Sequence, residues 1–266
     1  MKRESLSVRV ERGGPFSAEE LAKIFSRGFQ FDTLEIAGQY YNAGLFCLQA
    51  RAAYAKSIVY SAEAVVALRA QEYIWTAIAA YYALFHLSIA LMFLLPQELE
   101  KNRRGRLAQA WSGGSEDPTE KLIPHWYVPM FLEACEAKGL SPRLREFLQA
   151  AWQLRVDVNY GPRVAWVGNR PAFKSPAHTP SEVETIANAL ESVLSSAIRW
   201  VSRATDLSWV RAVDAAAALA QFLTEDNLLY VRWCAPEALA EARQLAKRLP
   251  NTEQLWREND ASREGA

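Results

Sequence analysis

From Tyr73 to Leu95 the chain reads YIWTAIAAYYALFHLSIALMFLL, without a single charged side chain. A stretch of this length and composition has two homes: a bilayer, or the middle of a large helical core. Its flanks favour the core. Arg69, Gln71 and Glu72 precede it, and Gln97, Glu98 and Glu100 come before Lys101, so there is no Lys/Arg bias to set a topology. Tyr81 and Tyr82 fall at mid-span rather than at an interface, and His86 would sit near the hydrocarbon centre, where a polar ring is costly. The expectation is a central buried helix, closed by Pro96, with no membrane partner.

The rest of the chain supplies enough apolar residues to surround such a helix. Half of the 266 residues are hydrophobic. Lys plus Arg equals Asp plus Glu at 30 each, so net charge gives no nucleic-acid footprint and any such surface must be a local patch. Cys47, Cys135 and Cys234 are far apart and form no CxxC pair, which reads as reduced thiols and no metal cluster. The first residues, MKRESLSVRVERGG, lack an apolar secretion core, so a cytoplasmic location is expected. No Gly-rich phosphate loop, H-E-x-x-H or G-x-S-x-G motif is present, and no cofactor is expected.

Apolar residues recur at helical spacing almost throughout, so the fold class is all-α. Ser17 and Glu20 form a capping box in FSAEELAKIF. A long helical run is expected over 34–70, with Gly44 as an interruption. Pro129 is placed to open a helix that Gly139 ends, and Ser141-Pro142 opens another reaching about Asn159. GPRVAWVGNRPAFKSPAHTP reads as an irregular loop, and Thr179-Pro180 starts a helix reaching about Thr205. Two or three more helices follow Leu207, and the last residues, NDASREGA, read as a disordered tail. The only strand signal is a short one at Leu6–Val10.

Two separated motifs resemble the HEPN superfamily. Ala79, Tyr81, Tyr82, Ala83, Phe85 and His86 match an A-x-Y-Y-A-x-F-H helix, and His125, Phe131, Gly139-Leu140, Arg155, Asn159 and Tyr160 match the second half, which ends in R-x-x-x-(D/N)-Y. The resemblance covers roughly 45–203. It implies a HEPN-like helical bundle over 45–205, with an N-terminal extension over 1–44, a C-terminal helical extension over 206–258 and the tail over 259–266. It also implies a homodimer and an RNA-directed activity, either a metal-independent ribonuclease of toxin–antitoxin or phage-defence type or a non-catalytic module binding nucleic acid, nucleotide or a partner such as an antitoxin or defence protein. The family's catalytic motif is R-x(4–6)-H. Here Tyr160 stands where that histidine would be.

Arg155 and Asn159 are four apart and share a helix face, beside the stripe Leu148, Ala151, Leu154 and Val158. Arg155 therefore falls at the core boundary, where its planar fork can meet a phosphate. Tyrosine is a weak base at neutral pH, so the missing base would be His86 or His125. Arg103, Arg104, Arg106, Arg163, Arg170 and Lys174 are the candidate RNA-binding cations. The bland alternatives are a structural Arg155 paired with Asp157 or Glu133, a core His86, and a basic loop that is merely solvated. Trp75, Tyr81 and Trp152 are the aromatics expected at a dimer interface.

Overall fold

Helix α1 (Ala43–Arg69) and helix α2 (Tyr73–Leu94) form a tight hairpin around which the other elements are arranged. These helices belong to a computed structural model of the chain, which describes residues 33–36, 39–95, 98–99, 123–160, 163–167, 170–174, 179–204 and 235–250. The α1–α2 connection is closed by a Schellman pattern: the Gln71 amide donates to the Leu68 carbonyl at 2.9 Å and the Glu72 amide to the Ala67 carbonyl at 2.8 Å. Gln71 takes the left-handed conformation this requires, φ +60°. Small residues are buried on both helices, among them Ala55, Ala62 and Ala64 on α1 and Ala77, Ala80, Ala83 and Ala90 on α2. Mid-way, the Ser57 hydroxyl donates across the hairpin to the Ala83 carbonyl at 2.7 Å, so a buried polar group is satisfied between helices.

Helix α2 is long and apolar enough to cross a membrane by length and composition. In the fold it is buried from Thr76 to Leu94 except at Ile78 and Tyr82. It touches α1, α3 (Tyr127–Glu136), α4 (Arg143–Tyr160) and α5 (Pro180–Ala204), which explains why no face of it needed charge. Helix α6 (Pro236–Arg248) packs on α1.

Helix boundaries follow local chemistry. Thr179 and Glu182 make the capping box of α5, the Thr179 amide donating to the Glu182 carboxylate at 2.6 Å. Helix α5 then buries Val183, Ile186, Leu190, Val193, Leu194, Ala197 and Val201, the stripe of an amphipathic helix. Helix α3 starts at Tyr127, two residues before Pro129. Trp126 is already helical and the Tyr127 amide bonds to the Pro124 carbonyl at 2.8 Å, and proline is tolerated in a first turn whose amides have no intrahelical partner. Gly139 ends this helix as expected, with φ +94° and a second Schellman pair from the Gly139 and Leu140 amides to the Glu136 and Cys135 carbonyls. Arg145 grips Glu136 with two bonds of 2.8 Å and fixes α4 against α3.

Two segments depart from the helical reading. Residues 34–36 and 39–42 are not helix: Thr33–Ile36 (β1) pairs antiparallel with Gln39–Asn42 (β2), and α1 starts only at Ala43, with Gly44 in its first turn. Thr33, Ile36, Tyr40 and Tyr41 are strand formers, and the register leaves two residues, Ala37 and Gly38, between the strands. The segment read as an irregular loop contains a second hairpin, Arg163–Val167 (β3) with Arg170–Lys174 (β4). Helices still build the core, so the all-α class holds. The capping box at Ser17, the strand signal at 6–10, Cys234, His178 and the helices expected between Leu207 and Ala235 lie outside the described residues. So do the tail at 259–266 and most of the 1–44 extension.

Candidate functional site

The two motifs, far apart in sequence, meet on one aromatic cluster. From α4, the Arg155 guanidinium carbon stands 5.1 Å from the Tyr81 ring centre and 5.5 Å from that of Tyr82, and its Nη2 donates to the Tyr82 hydroxyl at 3.2 Å. Cation-over-ring contacts of this kind hold a guanidinium without neutralising its charge. The Arg155 Nε is buried and has no hydrogen-bond partner among the described residues. Buried donors are nearly always paired, so this one marks a place where an acceptor would be welcome. Arg155 as a whole is half-buried, at the core boundary its helix position implies.

The two candidate histidines flank the arginine at one ring's remove. His125 Nδ1 is hydrogen-bonded to the Tyr81 hydroxyl, and its ring packs 4.8 Å from that of Phe85. It lies at the turn before α3 and is half-buried. His86 is 6.2 Å from the Tyr82 ring and packs nearly parallel to Tyr60 at 5.5 Å. Only 8% of His86 is exposed. Burial, with the Lys56 cation adding, pushes its imidazole down to about 3. A base so weak takes a proton poorly at neutral pH, so of the pair His125 is the better placed for proton transfer.

Other expected residues are distributed more widely. Asn159 and Tyr160 are the last two residues of α4, described by their backbone alone. The helix continues through Tyr160, so that position is about 140° round from Arg155. Arg163, Arg170 and Lys174 are in the β3–β4 hairpin. Arg103, Arg104 and Arg106 lie outside the described residues. Tyr81 is 1% exposed, so it belongs to the interior of the subunit and not to an interface. Trp75 and Trp152, by contrast, are exposed at 61% and 39%. Cys135 is buried, and burial with the nearby Glu98 raises its thiol to about 12, which leaves it inert.

Tyr60 was missed from the sequence. It stacks on Tyr82 at 5.4 Å and on His86, and so supports both from α1. The signal was available: in an antiparallel hairpin turning at Gln71, positions 60 and 82 are equally far from the turn and fall level. Among the described residues no three His, Cys, Asp or Glu side chains are grouped to hold a metal ion. Comparison with protein-family models, curated proteins and solved structures gave no match. The HEPN likeness therefore stands on the quoted residues.

Proposed function

We propose that this chain is an RNA-directed protein of HEPN type that cleaves RNA with Arg155 as its phosphate-holding group and His125 as its base. The observation that carries the reading is the Arg155 cluster: a guanidinium over the rings of Tyr81 and Tyr82, one of its donors buried without a partner among the described residues, beside an imidazole hydrogen-bonded to the same Tyr81. In the proposed reaction a ribose 2′-hydroxyl attacks the adjacent phosphorus while His125 takes its proton. The P–O5′ bond breaks, and the leaving oxygen is protonated by water. Arg155 stabilises charge on the non-bridging oxygens. The Tyr81 hydroxyl orients the imidazole. The reading carries with it a cytoplasmic homodimer acting in a toxin–antitoxin or phage-defence setting.

A second reading is favoured by a different observation. The Tyr82 hydroxyl already occupies one Arg155 nitrogen, and His86 is a weak base. In this reading the cluster binds an RNA or nucleotide phosphate, or a partner protein, without chemistry. Incubating total cellular RNA with the full chain in EDTA, with growth on induced expression measured alongside, separates the two. Cleavage that falls about a hundred- to a thousandfold in both Arg155→Ala and His125→Ala, with folded variants, supports the ribonuclease. RNA left intact by wild type, with binding weakened in Arg155→Ala, gives the answer to the binding module.

A further inference from the structure

The β3–β4 hairpin is joined to the Arg155 helix by two residues, Gly161 and Pro162. Its register pairs Arg163 with Lys174, Ala165 with Ala172 and Val167 with Arg170. Directly opposed residues of an antiparallel ladder lie on one side of the ribbon, and alternate residues along a strand share a side. Positions 163, 165, 167, 170, 172 and 174 therefore make one face, and positions 164, 166, 171 and 173 the other. The first face has all three cations of the hairpin, Arg163, Arg170 and Lys174, separated by Ala165, Ala172 and Val167. The second has Val164, Trp166, Pro171 and Phe173.

No acidic residue stands between Asp157 and Glu182. In a chain whose charges balance at 30 and 30, this is a run of sequence with formal charge of one sign, and the strand period assigns its three hairpin cations to one side of the ribbon. Lysine and arginine also protect exposed strand edges from pairing, but that role does not require them on a single face. Chain reach places the Cα of Arg163 within about 20 Å of that of Arg155, and Arg170 lies about 14 Å further along the ribbon. A few nucleotides bridge such distances.

We infer that the basic face of the β3–β4 hairpin grips the ribose-phosphate backbone of the RNA whose phosphate Arg155 holds. This rests on the RNA-directed reading above. The residues between the cations are Ala and Val, which offer nothing to base edges, so the grip is independent of sequence.

The test uses the full chain and two labelled twelve-nucleotide RNAs of unrelated sequence. Every 2′-hydroxyl is methylated, so binding is read without cleavage. Anisotropy is followed from 0.05 to 0.3 M KCl for wild type, Arg155→Ala and the triple variant R163Q/R170Q/K174Q, with R163K/R170K retaining charge. The triple variant is expected to bind both RNAs at least tenfold more weakly at 0.1 M KCl. Its slope of log K against log salt should fall by about 2, at about 0.7 per phosphate contact on a single strand. R163K/R170K should keep the wild-type slope. A wild-type slope of only about 1 overturns the inference without needing any variant. So does a triple variant that binds like wild type while Arg155→Ala binds weakly, and in that case the RNA reading survives. Wild type that binds neither RNA sinks both proposals. Wild type that binds phosphatidylserine vesicles and not RNA makes the ribbon a membrane-surface contact instead.

Discussion

Arginines at two places in this molecule are held in opposite ways. Arg69, at the end of α1, and Arg248, at the end of α6, both reach the Glu241 carboxylate, at 2.7 and 3.2 Å, and Arg248 also meets Glu191 at 3.0 Å. Burial works against the Glu241 carboxylate, yet the two arginine hydrogen bonds together outweigh it and hold its pKa below the usual range. Among the described residues, Arg155 is met instead by tyrosine rings and a phenol. A carboxylate cancels a guanidinium's charge and occupies its fork. A ring face holds the group in place and leaves the charge standing. The first arrangement suits fastening α6 to α1, and the second suits an arginine that must meet an anion from outside.

The comparison breaks most visibly if Arg155 is given a carboxylate. Tyr82→Glu should depress RNA cleavage or binding about a hundredfold or more while leaving Arg155 in place, measured as single-turnover rate and anisotropy. Unchanged activity would mean that the ring-held state has no functional weight.

Next in size is the pH response of His86. Its folded pKa, about 3, lies below the unfolded value near 6.5, so the unfolded chain takes the proton first. The stability it supports is present above about pH 6.5 and is lost as pH falls from there towards 3, at up to about 1.4 kcal/mol per pH unit. Urea melts at pH 7, 6, 5 and 4 should show that decline, and His86→Phe should flatten it.

Glu241→Gln comes third. The partners are exposed at 66% for Arg69 and 45% for Arg248, so solvent screens them. The loss should be about 1–2 kcal/mol, a shift of about 2–8 °C in Tm, with RNA activity unaltered. Equal loss of activity would show that the two regions are not separable. The smallest effect belongs to Tyr82→Phe. It removes one hydroxyl but keeps the ring under Arg155, and should change stability by under about 1 kcal/mol and cleavage by a few-fold.

How far the sequence reached depended on whether the deciding contact was local. Thr179, Pro180 and Glu182 declare the start of α5 within four residues, and Gly139 declares the end of α3, because those signals act on their own backbone. Gln71 makes the same left-handed turn as Gly139 but carries no such label, since a glutamine there is tolerated by the hairpin rather than preferred. Residues 33–42 misled because a short strand pair with few polar alternations resembles the edge of a long apolar helix. The face of α4 bearing Arg155 was legible from its four-residue period. Its partners were not: Tyr82 is separated from it by 73 residues, and no periodicity carries that distance.

The tight α1–α2 turn also orders events during synthesis. Helical hairpins joined by a few residues form from contacts close in the chain, which is the fastest route available to a folding protein. Tyr60, Tyr82, His86 and Phe85 all lie in that hairpin, so the stacked part of the cluster can assemble while the ribosome is still translating downstream codons. His125 and Arg155 are translated later and dock onto rings already in place. A nascent chain stalled before α4 therefore has the platform without the cation, and Arg155 joins it only after more than half of the chain has been made.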